Sequence, residues 1–258
     1  MVSVRQRNHS WIGVGAHDER PMMNYDKLLV AILLSATGGF LDGFSWVGHG
    51  NVLANTQTAN IVLFSVFATA GNWPRALRHV PPILAFIGGV ITAHLLRVRG
   101  VGRNLRSGAF LGLMIEIVVL SVICVLPDHG PNLRIVSAVA FTSALQATNF
   151  TRADGVIYSS IMTTNNLRNA AEGLIEAFFI SRDRDSMRLA RASTAICVSF
   201  GIGAGAGGYC TARLGNVAVI VPITALIITI IYCMMLRPAG HAETPRRKYL
   251  FGLRDGSN

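Results

Sequence analysis

Polar groups able to bind or carry something stand at a few places in a chain otherwise too apolar to hold them cheaply. Asp42 interrupts the stretch LLVAILLSATGGFLDGFSWV, where a carboxylate at bilayer depth is costly unless it faces protein, water or a partner. It is suited to taking up a proton or coordinating a cation. It is equally suited to accepting hydrogen bonds from Arg152 or from backbone amides nearby. Asn55, Gln57, Thr58 and Asn60 follow it, and Thr163, Thr164, Asn165 and Asn166 repeat the pattern later, after Gln146, Asn149 and Arg152. Amides and hydroxyls of this kind can line a solute or ion site. They can also satisfy backbone groups freed where a membrane helix is interrupted. The candidate substrate or ion site is therefore Asp42, Asn55, Thr58, Asn60, Gln146, Asn149, Arg152, Thr164 and Asn166.

Two further carboxylates are candidates for proton coupling. Glu116 lies in the middle of GLMIEIVVL, and a lone carboxylate there should face the bundle and be protonated or hydrogen-bonded. Glu172 is four residues from both Arg168 and Glu176, so on a helix it shares a face with each. A like-charged pair at depth would attract a proton or cation; at a wet surface it would do neither. Other chemistries lack their residues. There is no HExxH, nucleophile elbow or paired glycosidase carboxylates. The glycine run at 201–208 is followed by no Lys-Ser or Lys-Thr, which removes a phosphate loop. Cys124, Cys197, Cys210 and Cys233 form no CxxC pair, and His49 and His94 stand apart from any cluster. No metal or cofactor is expected, and an intramembrane enzyme would need a site of another kind. Gly201, Gly205 and Gly208 would align on one helix face and allow a close helix contact.

These residues are carried by long apolar runs. The 258-residue chain is 51% hydrophobic and 14% charged, against about 25% charged in an ordinary soluble domain. Its formal charge of +10 comes from short arginine runs between apolar segments, a membrane pattern and not a nucleic-acid-binding face. Eight apolar segments can be marked: 28–47, 52–70, 80–96, 108–127, 133–150, 156–178, 190–209 and 217–236. Segments 108–127 and 217–236 are the plainest lipid-facing candidates. The basic clusters at Arg97 to Arg106, Arg182 to Arg191, and Arg237 to Lys248 all fall on the cytoplasmic side only if 28–47 with 52–70, and 133–150 with 156–178, each make one net crossing. Six net crossings result, with both termini inside and Arg75, Arg78, Arg134 and Arg213 outside.

Each of these two pairs contains a polar, glycine-bearing break, and Thr58-Ala59-Asn60 overlays Thr164-Asn165-Asn166 at an offset of 106 residues. Each half makes an odd number of crossings, so the halves must be oppositely oriented. The fold expected is all-α and polytopic, an inverted repeat of three plus three crossings with a broken helix pair opening each half. The expected divisions are a cytoplasmic tail at 1–27, repeats at 28–127 and 133–236, and a cytoplasmic tail at 237–258.

Segment 38–63, with Gly39, Phe40, Asp42, Gly48, Gly50, Asn55, Thr58 and Asn60, resembles the first signature of the YoaK family of bacterial membrane proteins, a domain-of-unknown-function family. Segment 144–166, with Gln146, Arg152, Gly155 and Thr164, resembles its second. Ala59 and Asn165 stand where the signatures carry glycine, and Thr148-Asn149 replaces their Asn-Ala order. The resemblance implies a multi-spanning protein of the bacterial inner membrane and no defined activity. Broken helices at matched positions of inverted halves point to a central site in secondary transporters. A transporter of a small solute or ion is therefore expected, in contact with lipid, with no nucleic acid partner and with a homo-oligomer as an option. A non-transporting scaffold or assembly protein is the alternative, and it should pair its polar residues with one another.

Overall fold

The computed structural model describes residues 27–98, 105–128, 130–153, 156–161, 163–180 and 184–235. Both tails, most of the arginine clusters beside them, and Asp154 and Gly155 lie outside the described residues, as does the side chain of Arg152. Nine helices carry the described chain: α1 Leu28–Gly48, α2 Gln57–Thr69, α3 Trp73–Ala76, α4 Val80–Val98, α5 Leu105–Val125, α6 Leu133–Asn149, α7 Thr163–Ile175, α8 Arg184–Leu214 and α9 Ile220–Met235. A two-stranded hairpin pairs Arg152–Ala153 with Val156–Ile157.

Four stretches are long and apolar enough to cross a membrane: Leu28–Gly48, Trp73–Leu96, Gly108–Val125 and Arg184–Met235. The last contains α8 and α9, which are separated by a turn at Gly215 in the left-handed region (φ +54°). The chain is an all-α polytopic membrane protein. Apolar side chains on its outside, such as Val118, Val122 and Val125 of α5 and Ile227, Ile231 and Met234 of α9, form a surface that suits lipid.

Segments 52–70 and 156–178, each expected to make one net crossing only together with the segment before it, carry short helices: α2 and α7 have 13 residues each, roughly 20 Å against a hydrocarbon core of about 30 Å. The start of the second is the hairpin. The basic stretch Arg184 to Arg191 is not loop but the first turns of the 31-residue α8, which is long enough to carry arginines past the apolar region.

Helix α1 is the central element, with two thirds of its apolar window buried. It packs on α8 through glycines. A methyl on Gly39 would stand 2.0 Å from the Phe200 carbonyl oxygen, and one on Gly203 2.1 Å from that of Ala36; Gly43 and Gly207 repeat the contact one turn on. Small residues let the backbones touch. The contact face is Gly203 and Gly207 with Gly208 at its edge, beside Gly43 and Val47, and not the expected stripe: Gly201 and Gly205 face open space. Helix α4 meets α6 in the same manner, where Gly89 touches the Phe141 carbonyl. Helix α5 packs on α6 and α9.

Candidate functional site

After α1 the chain reverses through Gly50 (φ +86°) and Asn51 (φ +58°), a conformation that glycine and asparagine tolerate best. It then runs back along α1. Asn55 Nδ2 donates to the Gly38 carbonyl at 2.9 Å, ten residues before the end of α1 and hence roughly 15 Å back along it. The segment therefore dips to about mid-helix before α2 carries it away.

Asp42 holds the bottom of that dip. Its Oδ1 accepts from the Asn55 N–H at 2.7 Å and its Oδ2 from the Thr56 hydroxyl at 2.5 Å. Thr56 is the N-cap of α2, but its hydroxyl turns to Asp42 in place of the helix. Ser45 adds a relay, donating to the Asp42 carbonyl and accepting from the Ala54 N–H, both at 3.1 Å. Asn60 locks the loop from the other side. Its Nδ2 donates to the Leu53 carbonyl at 2.6 Å and to Gln57 Oε1 at 3.0 Å, and its Oδ1 accepts from the Leu53 N–H at 3.3 Å. His79 Nδ1 lies 3.1 Å from the same Oδ1. The Leu53 peptide fixes the orientation of the amide, so Nδ1 is the donor. Every donor and acceptor position of Asn60 is thus occupied.

The second break repeats the clasp. Asn166 Nδ2 donates to the Ser159 carbonyl at 2.7 Å, and its Oδ1 accepts from the Ser159 N–H at 3.4 Å. In both breaks an asparagine grips the peptide seven residues before it, and the two asparagines are 106 positions apart. Asn60 and Asn166 are buried, whereas Thr58 and Thr164 are exposed at the matched positions.

The breaks meet at Gly38. Asn55 of the first bonds to the Gly38 carbonyl, and Ser160 of the second lies so close that a methyl on Gly38 would stand 2.9 Å from its carbonyl oxygen. Helix α8 closes the third side, with Ser35 of α1 donating to the Ile196 carbonyl at 3.0 Å. Around this junction several fully buried polar atoms have no hydrogen-bond partner among the described residues: Thr37 Oγ1, Asn55 Oδ1 and Ser160 Oγ. Gln146 of α6 is buried with both amide atoms in the same condition. Glu116 of α5 is wholly buried as well, and the Ser143 hydroxyl of α6 faces it without closing a hydrogen bond. Asn149, in contrast, bonds the Leu145 carbonyl of its own helix at 2.8 Å. Glu172 stands at the surface in an exposed ion pair with Arg168, 3.0 Å.

Reading the sequence alone missed a group at the far end of the first break. Arg75, Arg78 and His79 surround a cavity of about 220 Å³ whose other walls include Trp46 and Phe67. Asn72 caps α3 by accepting from the Arg75 N–H at 3.3 Å, and Pro74 sits in the first turn, a favourable helix start. The signal was present as two arginines and a histidine within five residues. His49, just past α1, is buried, and desolvation lowers its proton affinity below the ordinary histidine range, against the opposing pull of Asp128. Among the described residues no group of three His, Cys, Asp or Glu could hold a metal ion.

A family described as protein of unknown function, DUF1275, matches residues 30–232. The chain belongs to the DUF1275 family. The match spans α1 to α9 and both breaks, so the architecture above is that of a DUF1275 protein and not of a segment appended to one. No curated protein and no solved structure matches the chain.

Proposed function

We propose that this DUF1275 protein is a transporter of a small solute or ion in a bacterial inner membrane, with its path through the junction at Gly38. The observation that carries the reading is the set of buried polar atoms there and on α6 that have no partner among the described residues: Asn55 Oδ1, Ser160 Oγ and the Gln146 amide. A purely structural bundle satisfies its interior polar groups, because each one left unpaired costs about 1–3 kcal/mol. Interior groups left open are available to water or solute.

The two halves, 28–127 and 133–236, are read as inverted repeats of three crossings: α1, α4 and α5, then α6, α8 and α9. The matched asparagine clasps support this. So does the exchange of partners, in which the first crossing of each half packs through glycine on the second crossing of the other, α1 on α8 and α6 on α4. The dips at 49–69 and 150–175 then enter from opposite faces, and gating is one half rocking against the other. Asp42, Asn60 and Asn166 hold the dips in shape, while Asn55, Ser160 and Gln146 face the solute, and Glu116 is the group that exchanges a proton.

The test is flux in proteoliposomes against a panel of ions, amino acids and small carboxylates, with Gln146→Met as the variant. Methionine fills the same volume without polar atoms, so melting temperature should hold or rise while flux falls. Wild-type protein inert to the whole panel, or a variant that melts far lower, would favour the scaffold alternative.

A further inference from the structure

The cavity beside the first break has the chemistry of an anion site. Arg75 and Arg78 both line it, and among the described residues neither forms an ion pair. Two exposed arginines on the wall of one small cavity give it a positive field that favours an anion. Each offers a planar fork that matches a carboxylate.

The two cations are held differently. The Arg75 guanidinium stands over the Phe67 ring, 5.8 Å from its centroid, and the same ring stacks on His79 at 6.0 Å, 15° from parallel. His79 is in turn pinned by Asn60. Arg75 is thereby oriented by a chain that ends in the clasp of the first break. Arg78 has no such anchor; its Nη1 reaches toward the left-handed Gly50, 3.6 Å from where a methyl would stand. One cation is preset and the other is free to close on a ligand.

The remaining lining decides the kind of anion. Trp46, Leu63 and Phe67 present apolar and aromatic surface, which an inorganic anion cannot use and a hydrocarbon body can. At about 220 Å³ the space is smaller than pockets for drug-sized molecules, about 300–1,000 Å³.

We propose that this cavity binds a small organic carboxylate with a single apolar, ring-sized body, its carboxylate held between Arg75 and Arg78 and its body on Trp46, Leu63 and Phe67. The role of the cavity as a mouth of the solute path rests on the transport reading; the binding site does not. Through Phe67, His79 and Asn60 an occupied site would bear on the clasp that shapes the first dip.

The test is calorimetric titration of the full chain in detergent with benzoate, with benzyl alcohol as the same ring without charge and sulfate as charge without a ring. Benzoate should bind saturably, and the two controls roughly tenfold or more weakly, as expected when a charge-assisted hydrogen bond or the apolar contact is absent. Arg78→Gln should lose about as much benzoate affinity. It should melt as the wild type does, since Arg78 has no described partner to lose. Trp46→Ala should weaken benzoate and leave sulfate unchanged. Absence of benzoate binding, undiminished binding to Arg78→Gln, or sulfate binding as tightly as benzoate would overturn the proposal. Flux of an unrelated solute that persists in Arg78→Gln would leave the transport reading standing without this site; benzoate binding without any flux would leave the site standing without transport.

Discussion

The two breaks use the same clasp but differ in how they are moored. In the first, a carboxylate on α1 takes the Asn55 amide and the Thr56 hydroxyl, and Asn60 is saturated by Leu53, Gln57 and His79. In the second, the position 106 residues after Asp42 is Thr148, whose hydroxyl bonds the Ala144 carbonyl of its own helix at 2.7 Å. No carboxylate holds that break at the equivalent place. The first dip is thus fastened to its helix by a carboxylate, where the matched position of the second carries a hydroxyl.

The helix contacts beneath the breaks should give the largest effects. Gly39→Ala sets a methyl against the Phe200 carbonyl, which cannot move without parting α1 from α8. A loss of about 3 kcal/mol is expected, read as a fall in detergent melting temperature. Gly205→Ala on the open face of α8 should instead be neutral or stabilising by up to about 1 kcal/mol. Equal losses at the two positions would refute the assigned packing face.

Removing the moorings comes next. Asp42→Ala leaves the Asn55 amide and the Thr56 hydroxyl without their acceptor and should cost about 2–3 kcal/mol. Thr148→Ala removes a hydroxyl bonded to the Ala144 carbonyl of its own helix and should cost less, about 1 kcal/mol for that bond. Comparable losses would mean that the two breaks are equally fastened. Asn60→Ala should also cost about 2–3 kcal/mol, because it frees the Leu53 peptide, Gln57 and His79 together. The smallest effect is at Glu172: Glu172→Gln, breaking an exposed i,i+4 pair, should change stability by less than about 0.5 kcal/mol.

Much of this was legible from residue type. Long apolar runs marked α1, α4, α5 and α9 within a few residues, and the polar interruptions marked both breaks. The 106-residue offset picked out the two asparagines that clasp. What escaped needed a partner surface. Alternating glycines at 201–208 supply two usable helix faces, and only α1 decides that Gly203 and Gly207 are the ones covered. Arg184 to Arg191 read as loop because their charge suits the water side, but an α-helix can continue out of the membrane. That Asn60 is internally saturated while Gln146 is not cannot be told from two amides in equally polar stretches. Arg75 and Arg78 read only as charges outside the membrane, since nothing in the sequence shows that His79, α2 and the end of α1 gather around them.

Water access at the junction of the breaks tests the central claim most directly. In a variant lacking the four native cysteines, Ser160→Cys should react in intact membranes with a small, membrane-impermeant thiol reagent, and saturating a transported solute should slow that reaction. Asn51→Cys, exposed beside the cavity of the first break, is the positive control. A junction that stays unreactive from both faces while position 51 labels fully would make the Gly38 contact dry packing and contradict a solute path there.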